Sequence, residues 1–101
     1  MAKSKSKSPA IGAGSSSAEP FYSDRGRDDY AWWRRHNPAV ANRIDRLIAD
    51  TIEHPFTGLG KPEPLRFGLK GAWSRRITGE HRMVYRFEAG RLYIAQLRYH
   101  Y

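Results

Sequence analysis

The sequence predicts an α+β fold, with two N-terminal helices packed on one face of a twisted antiparallel sheet. Three observations carry that reading. Val40, Ile44, Leu47, Ile48 and Ile52 recur at helical spacing within residues 38–53. After the loop-like stretch FTGLGKPEP at 56–64, the period changes to two, in runs at 72–78, 81–87 and 91–99. Gly79-Glu80 and Ala89-Gly90 separate those runs as short turns, and short turns imply hairpins and antiparallel pairing.

Each element has a local cause. Residues 1–17, MAKSKSKSPAIGAGSSS, bury too little apolar area to offset the entropy of ordering, so they are expected to form a disordered basic tail. The folded domain is expected over 18–101. Glu19-Pro20-Phe21-Tyr22 is a short edge strand with proline at its start, where a missing N–H is tolerated. Ser23 is the N-cap of a helix reaching about Arg35, with Asp24 in its first turn. Tyr30 and Trp33 share a face, and Gly26 weakens the helix start. Asn37-Pro38 restarts the chain as N-cap and first helical residue. His54-Pro55 ends the second helix. A further short strand is expected near Leu65–Leu69.

With two-residue turns at both hairpins, one sheet face carries Met83, Tyr85, Phe87, Leu92 and Ile94 and meets the second helix. The other face mixes Arg75, Arg82 and Arg86 with Trp73, Tyr93 and Tyr99. Guanidinium groups hold phosphates and aromatic rings stack on unpaired bases, so this face suits single-stranded nucleic acid.

The charge distribution agrees. The net charge is +8, made of +3 in residues 1–17, −1 in 18–57 and +6 in 58–101. The second half is therefore the one facing a polyanion. The chain has no cysteine, which excludes disulfides and thiolate metal sites and fits a cytoplasmic location. His36, His54, His81 and His100 do not share metal-ligand spacing, so neither a metal nor another cofactor is expected. No apolar run is long enough to span a bilayer, so no membrane partner is expected.

Two residues could move protons. Glu63 stands in Lys61-Pro62-Glu63-Pro64, where flanking prolines stiffen the backbone and restrict the carboxylate's freedom. Taken alone it reads more readily as an ordinary surface glutamate than as a catalytic one. His100 lies in the terminal RYHY, and an imidazole titrates near neutrality. One carboxylate, one imidazole, several arginines and a terminal tyrosine are the parts for RNA cleavage without a metal. A base takes the ribose 2′-OH proton, arginine stabilises charge on phosphorus, and an acid protonates the departing 5′ oxygen.

The string GKPEPL, the later WSRRI and EHR.VY, and the terminal RYHY together resemble the YoeB/Txe family of bacterial toxins within the RelE-like superfamily. The resemblance runs from about residue 18 to the end. It implies a RelE-like microbial ribonuclease fold and an endoribonuclease that cuts mRNA in the ribosomal A site. It also implies inhibition by a YefM/Axe-type antitoxin, and a homodimer. Carried across position by position, Glu63 would be the general base, His100 the general acid and Arg82 the phosphate stabiliser. Tyr101 would orient or stack on the substrate, and Lys61, Arg66, Arg75 and Arg76 would contact RNA phosphates. Arg66 stands where the family often has lysine, which keeps the charge and changes the geometry. DRGR at 24–27 departs from the family's more helical, aromatic stretch. The competing readings are a non-catalytic RNA or ribosome binder and a ParE-like gyrase inhibitor on the same fold.

Overall fold

The computed structural model describes residues 19–99. The expected tail at 1–17, His100 and Tyr101 lie outside those residues. The order is β1 (Phe21–Tyr22), α1 (Asp24–His36), α2 (Pro38–Glu53), β2 (Glu63–Pro64), β3 (Trp73–Arg76), β4 (Arg82–Glu88) and β5 (Arg91–Gln96). The strands form one sheet in the order β1-β5-β4-β3-β2. Among the described residues no helix is long and apolar enough to cross a membrane.

Both helices begin where their caps predict. The Ser23 hydroxyl accepts from the Gly26 N–H at 2.9 Å and donates to the Ala95 carbonyl at 2.7 Å, so one side chain caps α1 and ties it to β5. Asn37 caps α2 ahead of Pro38. The α2 stripe buries Ala41, Ile44, Leu47 and Ile48 against Met83, Tyr85, Leu92, Ile94 and Leu97, with Trp33 of α1 completing the core. Each buried Ile, Leu or Met side chain among these contributes roughly 1.5–3 kcal/mol.

Gly26 is explained by packing. A Cβ there would stand 2.7 Å from the Ile94 carbonyl oxygen, a backbone atom that cannot swing away. The glycine that lowers helix propensity at the start of α1 is what lets the helix lie against β5. The DRGR departure is thus accommodated within the helix.

Four details differ from the sequence reading. First, β1 joins the sheet parallel to β5, with Phe21 opposite Tyr93, while the other pairings are antiparallel. Second, the short strand expected near Leu65–Leu69 sits earlier, at Glu63–Pro64. The Leu65 N–H still reaches the Ala72 carbonyl at 2.9 Å, and the chain then turns away through Gly68 and Gly71, both at positive φ.

Third, the first hairpin turn has three residues, Thr78-Gly79-Glu80. The N–H of Ile77 bonds the His81 carbonyl, and Trp73 pairs with Tyr85 and Arg75 with Met83. That one-residue difference exchanges the faces of β3. Trp73, Arg75 and Ile77 join the helix side, and Ser74 and Arg76 join the open side. Fourth, a bulge at Ala95 shifts the β4–β5 register, so that Tyr85 faces Ile94 but Val84 faces Gln96. Gln96 therefore lies on the open face, and Leu97 turns inward to full burial. The second turn keeps its expected two residues, with Ala89 and Gly90 both at positive φ as such turns require.

Candidate active site

The open face of the sheet, away from the helices, carries the candidate groups. Glu63, Ser74, Val84 and Gln96 are successive register partners across β2, β3, β4 and β5 and so share this face. Arg76 and Arg82 face each other one step along the same ladder. The Arg82 guanidinium donates to the Ser74 hydroxyl at 3.3 Å, which turns it toward the row containing Glu63. Glu63 is solvent-exposed, and among the described residues its carboxylate has no ion-pair partner. Lys61, Arg66 and Arg76 are exposed as well. Ser74, Val84 and Gln96 in that row are buried, and Glu63 at its edge shares the face with Arg76 and Arg82.

Arg75 must be corrected. It was expected among the phosphate contacts, yet it is fully buried on the opposite face of β3. Its guanidinium donates to the Asp50 carboxylate at 2.7 Å, to the carbonyls of Thr57 at 2.8 Å and Leu59 at 3.1 Å, to the His54 carbonyl, and to the Tyr85 hydroxyl at 3.2 Å. Tyr85 in turn donates to the Pro55 carbonyl at 2.6 Å. Arg75 therefore fastens the loop at 54–60, which leads directly into Lys61-Pro62-Glu63, to the end of α2. It holds the base of the segment that presents Glu63. The Leu59 N–H, followed by Arg75, holds the Asp50 carboxyl below the usual carboxylate range. Burial pushes the Tyr85 phenol up.

The chain end is fastened just as firmly. Asp29 of α1 accepts the Leu97 N–H at 2.9 Å, and the indole N–H of Trp33 donates to the Leu97 carbonyl at 2.9 Å. The Arg98 guanidinium lies 3.8 Å from the centre of the Trp32 ring. Tyr99 then turns at φ +67°, a left-handed conformation uncommon outside glycine. Its N–H donates to Nδ1 of His81 at 2.7 Å, and its carbonyl accepts from the Arg82 N–H at 3.2 Å. The chain thus leaves the strand direction at Tyr99, beside Arg82. His100 and Tyr101 follow Tyr99 directly in the chain and lie outside the described residues.

Two supporting residues were missed in the sequence. His81 accepts the Tyr99 amide, so its ring carries its proton on Nε2 in this arrangement. Asp29 caps Leu97 from within α1. Neither signals itself by spacing, because each meets its partner more than ten residues away in the chain.

The fold is a small α+β domain whose sheet places an exposed, proline-braced carboxylate and two arginines on the face away from the helices. The profile of the YoeB-like toxin of bacterial type II toxin–antitoxin systems matches residues 22–101. Toxin YoeB of Escherichia coli is 49% identical over 81 residues, covering 80% of this chain and 96% of that protein. Among solved structures, a YoeB/ParE toxin from Agrobacterium tumefaciens is 45% identical with a TM-score of 0.78, covering 82% of this chain and 99% of that one. The toxin in a YoeB–YefM complex from Staphylococcus aureus is 33% identical with a TM-score of 0.77, covering 83% of this chain and 98% of that one. YoeB of the same organism is also known as a dimer. The chain belongs to the YoeB family, the toxins of a class of type II toxin–antitoxin pairs.

Proposed function

We propose that this toxin is an endoribonuclease that cuts mRNA in the ribosomal A site and so blocks translation. The observation that carries the reading is the sharing of one sheet face by Glu63 and Arg82, with the chain turned at Tyr99 beside Arg82. Glu63 takes the proton from a ribose 2′-OH as the freed oxygen attacks the adjacent phosphorus. Arg82 offsets the charge that builds on the phosphoryl oxygens. His100 gives a proton to the 5′ oxygen as its bond to phosphorus breaks, and Tyr101 orients the substrate. Lys61, Arg66 and Arg76 hold flanking phosphates.

An antitoxin of the YefM/Axe type keeps the toxin inactive, in keeping with the YoeB–YefM pairing of the Staphylococcus aureus relative. An acidic, foldable segment complements an open face that carries Arg76, Arg82 and Arg86. Two copies of the toxin associate as a homodimer, as the dimer of that relative suggests. The working location is the cytoplasm, where translating ribosomes are.

The test is to map mRNA ends in a translating extract supplied with the purified toxin. The expected result is new ends within codons occupying the A site, appearing with the block in protein synthesis. A block with no new ends would instead identify a non-catalytic ribosome binder. Loss of gyrase activity with translation untouched would identify the ParE-like alternative.

A further inference from the structure

Beyond the row containing Glu63, the open face continues to the opposite sheet edge, where a second feature is built. Phe21 on β1, Tyr93 on β5 and Arg86 on β4 are register partners side by side. The Phe21 and Tyr93 rings stack at 5.5 Å between centres, 23° apart. Together with Ser23, Ala95 and Leu69 they line a hollow of about 300 Å³. Ala95 is the extra residue of the β5 bulge and contributes only a methyl group. Leu69 belongs to the loop that follows Glu63, so this hollow and the candidate active site border the same loop.

The hollow's chemistry is selective. Its walls are aromatic, yet it lies on a face with Arg76, Arg82 and Arg86 rather than on an apolar patch. Phe21 is 48% exposed, held on this face by its pairing with Tyr93. The Arg91 guanidinium stands 5.4 Å from the Phe21 ring centre. Arg86 meets Glu88 only loosely, at 3.7 Å, with 44% of its side chain exposed, so its N–H donors are available to a ligand. A volume of this size is at the small end of ligand sites, which run from roughly 300 to 1,000 Å³. Rings for stacking and a guanidinium at the rim are what an unpaired base requires. Four strand spacings separate β1 from β2, about 19 Å at ~4.8 Å each, a distance that a few nucleotides of extended RNA can bridge.

We propose that this hollow is a nucleobase subsite, which receives one unpaired base of the RNA strand a few nucleotides from the cleaved phosphate. The proposal rests on the ribonuclease reading and adds a position where the substrate is gripped. Stacking on Phe21 and Tyr93 supplies affinity for any base. The paired donors of Arg86 favour guanine, whose O6 and N7 accept two parallel hydrogen bonds.

The test uses the full-length toxin and a short single-stranded RNA with 2′-O-methyl sugars, which lacks the attacking hydroxyl and cannot be cut. Affinity is measured by fluorescence anisotropy for wild type, Phe21→Leu, Arg86→Ala and, as a control on the far side of the molecule, Arg46→Ala. Phe21→Leu keeps an apolar residue and removes the ring. It is expected to weaken binding by roughly ten-fold, within the range that loss of one stacked base produces. Removing bases one at a time from the RNA should weaken wild-type binding at one position and leave Phe21→Leu indifferent there. Unchanged affinity in Phe21→Leu, a base-removal profile with no preferred position, or no saturable binding by wild type would each overturn the proposal. Cleavage in the translating extract separates the two readings. If wild type cuts mRNA and Phe21→Leu binds the short RNA as wild type does, the subsite fails while the ribonuclease stands. If wild type cuts nothing, the ribonuclease reading fails first.

Discussion

Glu63→Gln is expected to slow mRNA cleavage by roughly 10²- to 10⁴-fold, the usual contribution of a positioned general base, while leaving the unfolding temperature unchanged. Glutamine keeps the shape and the polar surface of glutamate but cannot accept the 2′-OH proton. Glu63 contributes to the fold through its backbone, as the register partner of Ser74 at the sheet edge, and its exposed side chain supports no packing. Loss of rate with preserved stability therefore isolates proton transfer. Single-turnover cleavage on programmed ribosomes reads the rate, and thermal unfolding reads the stability. A variant that cuts as fast as wild type would remove Glu63 from the mechanism.

Arg75→Ala should show the opposite pattern, with a large loss of stability and a loss of activity that follows from it. The buried guanidinium satisfies one carboxylate, three carbonyls and a phenol. Removing it leaves the partly exposed Asp50 without this charge partner and the Tyr85 hydroxyl and three carbonyls without their donor, at about 1–3 kcal/mol for each group that stays buried and unpaired. Together these losses are a large share of the roughly 5–15 kcal/mol by which a small domain is stable. The pH dependence has a defined sign. Asp50 titrates below the usual carboxylate range in the folded chain, because of the Leu59 N–H first and Arg75 second. Its stabilisation is complete above the unfolded carboxylate range and is lost as pH falls through the lowered folded value. Without Arg75 the lowering shrinks, so this part of the acid-side loss becomes shallower in the variant than in wild type. Urea unfolding at a series of acidic pH values measures both effects. A variant as stable as wild type would show that the loop at 54–60 does not depend on Arg75.

These two residues also mark the boundary of what the sequence discloses. The helices, their caps and the core face of β4 and β5 follow from periodicity and from Ser23, Asn37-Pro38 and His54-Pro55, because those signals act within a few residues. The face of β3 does not. Arg75 and Arg76 are chemically identical neighbours, and only the length of the turn at Thr78-Gly79-Glu80 decides which one is buried. Both a two-residue and a three-residue turn suit Gly79, so the choice is made by tertiary packing. The bulge at Ala95 is hidden for the same reason. It turns Leu97 inward, and the reward for that is burial against α1 and α2, which no local pattern records.

The candidate site draws on two sources in the sequence. The flanking prolines draw attention to Glu63, while the roles given to Glu63 and Arg82 come from the family resemblance. Neither source discloses the anchors that make the geometry. Asp29, Trp33 and His81 hold Leu97 and Tyr99 across 68, 64 and 18 residues of chain. Such partners become visible only when the fold brings them together. Gly26 is the converse case, a residue whose local meaning is unfavourable and whose tertiary meaning is a close approach to β5.

The chemistry of the cut ends tests the central claim most directly. If Glu63 activates the ribose 2′-OH beside Arg82, the upstream fragment ends in a 2′,3′-cyclic phosphate or its opened form, and the downstream fragment begins with a 5′-hydroxyl. Downstream fragments that begin with a 5′-phosphate would mean that the 3′ oxygen, not the 5′ oxygen, leaves phosphorus, and attack by the 2′-OH would be contradicted.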